Sequence, residues 1–162
     1  MDKEKKVILL AGPTASGKSK LAIKLAECLE GEIINADSMQ VYKEISILNS
    51  KPNLADTKNI KHHLYSVKSV KDKFSTGHWL DLVITKIEEQ WKNNKTPILV
   101  GGTGLYFKAL TEGLVKIPEI PESIRKETRE RHKKIGQNSF YNELLKLDPL
   151  AENFVLPTDS HR

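Results

Sequence analysis

The residues Gly12, Pro13, Thr14, Ala15, Ser16, Gly17, Lys18 and Ser19 form an unbroken G-x-x-x-x-G-K-S loop, preceded by the apolar run Val7-Ile8-Leu9-Leu10-Ala11 and followed by helical periodicity. That context makes the loop a phosphate cradle. Successive backbone N–H groups must turn inward toward anionic oxygens, and a Cβ at Gly12 or Gly17 would obstruct such turns. Lys18 adds a point charge and Ser19 a ligand for Mg²⁺, while the helix N-terminus supplies further N–H donors and the positive end of its dipole. The cradle implies a ligand with a di- or triphosphate. It leaves open whether that group is transferred, hydrolysed or expelled. Asp37 is the acid that stands nearest such a ligand in the sequence pattern. It closes a second apolar segment, is followed by Ser38 and Gln40, and is placed to reach a cation and an acceptor. A turn or helix-cap aspartate is the structural alternative.

The elements that must position these groups follow from periodicity. Residues 20–30 put Leu21, Ile23, Leu25, Ala26, Cys28 and Leu29 largely on one side of a helix that Gly31 stops, which makes Cys28 a buried core thiol. A short strand over 32–36 follows at once, giving a βαβ unit and hence a parallel sheet. Residues 42–73 read as mostly surface loop, with a short strand at 63–67. Trp79, Leu80, Val83, Ile84, Ile87 and Trp91 predict a helix over 76–91. Pro97-Ile98-Leu99-Val100 is a wholly apolar strand of the buried parallel type, running into Gly101-Gly102-Thr103-Gly104 and a helix from Leu105 in which Tyr106 and Phe107 serve packing. In a doubly wound sheet the carboxyl ends of the strands line one crevice, so three loops should bring the phosphate donors, Asp37 and Thr103 together.

The expected fold class is therefore α/β: a P-loop NTPase-like parallel sheet flanked by helices, with a core over 1–113 and a helical insertion after about residue 114. That insertion holds a charged run over 125–134, a helical stretch over 140–147, and Asp148-Pro149 as the cap and first position of a last short helix. A length of 162 residues suits one compact α/β domain, and a net charge of +5 is compatible with a nucleic-acid or polyphosphate partner. One cysteine excludes an internal disulfide, and His62 and His63, without cysteine partners, read as structural or surface residues. The first apolar run is short and ends in the loop, as a core strand does and a signal peptide does not, so a cytoplasmic protein without a membrane segment is expected.

In order along the chain, residues 12–19, Asn35-Ala36-Asp37-Ser38-Met39-Gln40-Val41-Tyr42-Lys43, Lys51-Pro52 and Leu99-Val100-Gly101-Gly102-Thr103-Gly104-Leu105-Tyr106 resemble the successive signatures of tRNA dimethylallyltransferases. The similarity continues through His62-His63-Leu64, residues 74–82, Glu112-Gly113-Leu114, Arg125, Asp148-Pro149, Ala151, Pro157, Asp159 and Arg162, so it covers essentially the whole chain. The resemblance implies transfer of a dimethylallyl group from dimethylallyl diphosphate to N6 of the tRNA adenosine 3′ of the anticodon, releasing diphosphate. It assigns residues 12–19 to the leaving diphosphate, with Mg²⁺ at Ser19 and an added hydroxyl from Thr14. Asp37 would accept the amine proton, and Ser38, Met39 and Gln40 would contact the flipped base. Thr103 would lie on the tRNA side of the channel, and Arg125 would contact the nucleic acid. A helix cap at Thr103 and a solvated helix face at Arg125 stay open.

Two departures from the family pattern stand out. Ile47-Leu48-Asn49-Ser50 precede Lys51-Pro52 where family members carry Gly-Thr-Ala, and the chain stops at Arg162 where family enzymes continue into helices that grip the anticodon stem. The resemblance thus implies a C-terminally truncated member with fewer phosphate contacts, weaker tRNA binding and a sheet short of a strand or two. Such a chain is active, an inactive remnant, or one half of a complex with a separately encoded C-terminal portion. The residues alone also admit an ATP-dependent small-molecule kinase, with Asp37 as metal ligand or base, and a non-catalytic tRNA- or nucleotide-binding fragment.

Overall fold

The computed structural model describes residues 5–45, 52, 57, 60–115 and 120–159, and the chain divides into two units, Met1–Val115 and Lys116–Arg162. The departures at 47–50 and the terminal Arg162 lie outside the described residues. In the first unit the order is β1 (Ile8–Ala11), α1 (Lys18–Leu29), β2 (Gly31–Asn35), β3 (His62–His63), α2 (Thr76–Lys92), β4 (Thr96–Gly101) and α3 (Gly104–Glu112). The strands form one parallel sheet in the order β1-β4-β2-β3.

Side-chain alternation along the central strands builds a core on each face of the sheet. Ile33 of β2 with Ile98 and Val100 of β4 packs against Ala22, Ile23 and Ala26 of α1. Ile34 and Leu99 point the other way, toward Trp79, Val83 and Ile87 of α2 and Tyr106 of α3. Helices on both faces explain why β4 is apolar at successive positions and buried from Pro97 to Gly101. This is the α/β sheet flanked by helices that the sequence predicts. β1 pairs with β4 on one side only among the described residues, and Leu9 is correspondingly 40% exposed.

Two local expectations need correction. The packed stripe of α1 is Ala22, Ile23 and Ala26, while Leu21, Leu29 and Cys28 are exposed, so Cys28 is not a core thiol. The small residues at 22 and 26, one turn apart, let the helix approach the sheet closely, and the bulkier ones flank that contact. The strand expected at 63–67 ends at His63, because Leu64 and Ser66 take left-handed φ values of 62° and 53° that no strand can contain. Beyond it a single bridge joins Tyr42 to Lys68.

The second unit consists of α4 (Glu122–Ile135), α5 (Gln137–Leu147) and a 3₁₀ turn (Pro149–Asn153). Arg131 reaches both carboxylate oxygens of Glu143, at 2.8 and 2.9 Å, and Tyr141 donates to the Val155 carbonyl at 3.2 Å. Asp148 caps the 3₁₀ turn by accepting from Leu150 N, with Pro149 at the first position.

Candidate active site

β1 delivers the chain into the phosphate loop, and the loop owes its shape to two left-handed residues, Ala15 at φ 63° and Gly17 at φ 83°. Such turns aim consecutive N–H groups at one concavity. Gly17 is therefore required by its backbone angle, since a Cβ there would meet nothing within 4 Å; the expected steric obstruction is not the reason. At Gly12 a Cβ would press on neighbouring side chains. An added Cβ would lie 3.3 Å from Ser16 Oγ and 3.4 Å from Lys18 Cδ, so the lysine stem runs directly beneath this glycine. Lys18 Nζ donates to the Pro13 carbonyl across the loop. α1 begins at Lys18 with no side-chain cap and no acidic residue in its first turn, which leaves the positive end of the helix to an anion. Pro13, Thr14, Ala15, Ser16 and Ser19 are all exposed around it.

The loops after β1, β2 and β4 are laced together by main-chain bonds. Gly12 N donates to Gly101 O at 3.3 Å, Ala36 N to Val100 O at 2.8 Å, and Thr103 N to Ala36 O at 3.3 Å. A Cβ built on Gly102 would sit 3.3 Å from the Gly12 carbonyl and 3.9 Å from Asp37 Oδ2. The Asp37 carboxylate and the phosphate loop therefore share one mouth at the carboxyl end of the sheet. Asp37 is half-buried, and its Oδ1 accepts from Met39 N at 2.9 Å while its carbonyl accepts from Gln40 N at 3.2 Å. The alternative of a turn aspartate is thus realised with one carboxylate oxygen, while the other faces Gly102.

Thr103 does not cap α3 with its side chain. Its Oγ1 instead accepts from Ser38 N at 2.9 Å and donates to Ser38 Oγ at 3.3 Å, tying the β4 loop to the Asp37 loop. Ser38 and Gln40 are half-buried and Met39 is 54% exposed at the same turn. Arg125 is exposed on α4, in the second unit.

Aromatic residues that the sequence assigns to packing also bear on the site. Trp79 is fully buried, stacks on Tyr106 at 4.1 Å between centroids, and donates from Nε1 to the Asn35 carbonyl at 3.0 Å. Burial pushes the Tyr106 phenol up to about 12, with the Tyr42 phenol and the Asp37 charge adding to the effect. Tyr65 is raised by burial and by Asp37 as well. Both tyrosines stay neutral at ordinary pH. Helical spacing identifies Trp79 as a core residue, but nothing in it reveals the indole bond that supports the end of β2. Of the two histidines expected to be structural or surface residues, His63 bonds Glu32 at 2.7 Å and His62 bonds the Ile60 carbonyl at 2.8 Å.

A family model described as IPP transferase matches residues 40–162. A tRNA dimethylallyltransferase of Pelagibacter ubique is 59% identical over 100% of this chain, which covers 52% of that protein. One from Rickettsia canadensis is 46% identical over 99% of this chain and 49% of its own length. Among solved structures, the full-length tRNA isopentenylpyrophosphate transferase of Bacillus halodurans matches with a TM-score of 0.69 at 33% identity, over 96% of this chain and 52% of that one. A eukaryotic dimethylallyltransferase acting on tRNA matches with a TM-score of 0.80 at 32% identity, over 96% and 39%. The chain spans about half the length of the curated relatives it matches, and the full-length match with the Pelagibacter protein takes in the phosphate loop and Asp37. On the family model and these relatives together, the chain belongs to the IPP transferase family.

Proposed function

We propose that this chain carries the reacting centre of a tRNA prenyltransferase, one that moves a dimethylallyl group from dimethylallyl diphosphate to N6 of the adenosine 3′ of the anticodon. The observation that carries the reading is the shared mouth. A Cβ built on Gly102 would lie 3.3 Å from the Gly12 carbonyl and 3.9 Å from Asp37 Oδ2, so an anion cradle and a carboxylate meet across one glycine. Family membership leaves the kinase reading without support.

Residues 12–19 would grip the diphosphate as the leaving group. Breaking the C–O bond builds negative charge on it, which Lys18, the loop N–H groups and the uncapped start of α1 stabilise more in the transition state than in the substrate. The donor set suits Mg²⁺ only in company: the Ser19 hydroxyl is a hard oxygen ligand, and the diphosphate oxygens and water would complete the shell. Bound there, Mg²⁺ would neutralise charge developing on the leaving group. Asp37 would accept the proton that the adenine amine loses as the N–C bond forms. The exposed Met39, with Ser38 and Gln40, would contact the extruded base, and Thr103 would line the same channel while holding Ser38. Arg125 would add a phosphate contact from the second unit. The reaction would take place in the cytoplasm. No helix among the described residues is long and apolar enough to cross a membrane.

The test is incubation of the purified chain with Mg²⁺, labelled dimethylallyl diphosphate and an unmodified anticodon stem-loop. Label should pass to the RNA without ATP, and Asp37→Ala should abolish the transfer. A folded chain that binds diphosphate and labels no RNA would refute the assignment.

A further inference from the structure

Asn35, the last residue of β2, is a polar side chain with no exposure. Burying an amide is costly unless its groups are bonded, and an apolar residue would fill the same place without that demand. Every bond this amide makes goes to the main chain, two of the three to Asp37. Oδ1 accepts from Asp37 N at 2.9 Å, and Nδ2 donates to Asp37 O at 2.9 Å and to Leu64 O at 3.2 Å. One side chain thus brackets both main-chain groups of Asp37. Leu64, held by the same amide, sits at φ 62°, a conformation a leucine keeps only when its surroundings fix it.

The bracket is anchored on both sides. Trp79 Nε1 bonds the Asn35 carbonyl from below, and Thr103 Oγ1 takes the next amide along, that of Ser38, from across the crevice. The segment that Leu64 begins is bonded in turn to the far end of the motif, with Ser66 N donating to Gln40 O and Lys68 N to Val41 O, each at 3.0 Å. We infer that Asn35 is a positioning residue: its amide holds the backbone on either side of the Asp37 Cα and couples that turn to residues 64–68, so that the carboxylate keeps its place at the mouth of the crevice. What the held carboxylate does rests on the function proposed above; the holding itself does not.

The experiment therefore has two arms on the full chain, with Asn35→Ala and Asn35→Ser. Serine keeps an oxygen that can accept from Asp37 N but is too short to replace the two N–H bonds that Nδ2 donates to Asp37 O and Leu64 O. In the first arm, hydrogen exchange at the Asp37 and Ser38 amides is measured by NMR relative to the Leu99 amide in β4, which reports the core. Alanine should raise the loop rates by about tenfold or more over the Leu99 rate, as expected for a lost bond to a buried group, and serine should restore part of the protection at Asp37. In the second arm, alanine should lower kcat for prenyl transfer by about tenfold or more at unchanged KM for dimethylallyl diphosphate, because the cradle is untouched and only the alignment of the base is lost. Loop amides that merely track Leu99, or an unaltered kcat, would overturn the inference. A parent chain that transfers nothing would remove the proposed function alone, and the exchange ratio would still decide the role of Asn35.

Discussion

Asp37 commits one carboxylate oxygen to its own turn through Met39 N, so removing the side chain would disturb structure and chemistry together. Asparagine separates the two, because its Oδ1 still accepts from Met39 N but it cannot take a proton. Asp37→Asn should lower transfer by about 10²- to 10⁴-fold, the usual worth of a general base, with pyrophosphate affinity unchanged by calorimetry. Lys18→Met should do the converse at the first step, weakening pyrophosphate binding by about ten- to a hundredfold as a charged hydrogen bond is lost. Equal losses of binding in both variants would mean that the two residues do not divide the labour this way. At the sheet edge, burial holds the His62 imidazole below its ordinary pKa. The unfolded chain takes up a proton there that the native chain resists, so stability present above the unfolded pKa is lost as pH falls toward the lowered native value. The urea midpoint should drop between about pH 7.5 and about pH 5.5, and His62→Gln should flatten that drop.

At the scale of elements, the site is held by how closely the ends of β2 and β4 approach. A Cβ on Gly101 would lie 2.0 Å from the Ala36 carbonyl oxygen and 2.7 Å from Asp37 N, both backbone atoms that cannot swing aside. Gly101→Ala should cost about 1–3 kcal/mol or more in denaturant unfolding and push the Asp37 loop away from the cradle. Gly104 belongs to the same glycine run but begins α3 with nothing within 4 Å of its Cβ position, so Gly104→Ala should be neutral or gain up to about 1 kcal/mol. A comparable loss from both would show that the run is required for some reason other than close approach. Strand, helix and loop order were legible because apolar runs and helical periods are local signals, and the G-x-x-x-x-G-K-S spacing carries its own chemistry. Contacts between distant segments were not. A side-chain cap stays open as an alternative for Thr103 until the β4 loop is seen to meet Ser38, 65 residues away in sequence. Asn35 reads as the polar end of a strand until Leu64 arrives beside it. Cys28 and Leu29 read as core because the period marks an apolar side of α1, but not how narrow the contact with the sheet is.

Across the whole molecule, the apolar interior is divided very unevenly between the two units. Both hydrophobic clusters, on either face of the sheet, lie within residues 7–110. In the second unit Ala151 is the only core residue among those described, while Leu147, Leu150, Phe154 and Leu156 are each at least two-thirds exposed. The two helices there are joined by the exposed Arg131–Glu143 pair, and Gln137 of α5 ties down the segment after the 3₁₀ turn by donating to the Pro157 carbonyl at 2.9 Å. Bonds at that exposure contribute little stability, and a segment this short without a buried core does not usually fold alone. A fragment of residues 1–115 should therefore unfold cooperatively, whereas residues 116–162 in isolation should show a broad, non-cooperative thermal change by circular dichroism. Because the phosphate loop, Asp37 and Thr103 all belong to the first fragment, it should also keep pyrophosphate affinity within about threefold of the full chain, a difference of about 0.7 kcal/mol. Tight pyrophosphate binding by the full chain and none by a folded 1–115 fragment would show that the second unit completes the cradle.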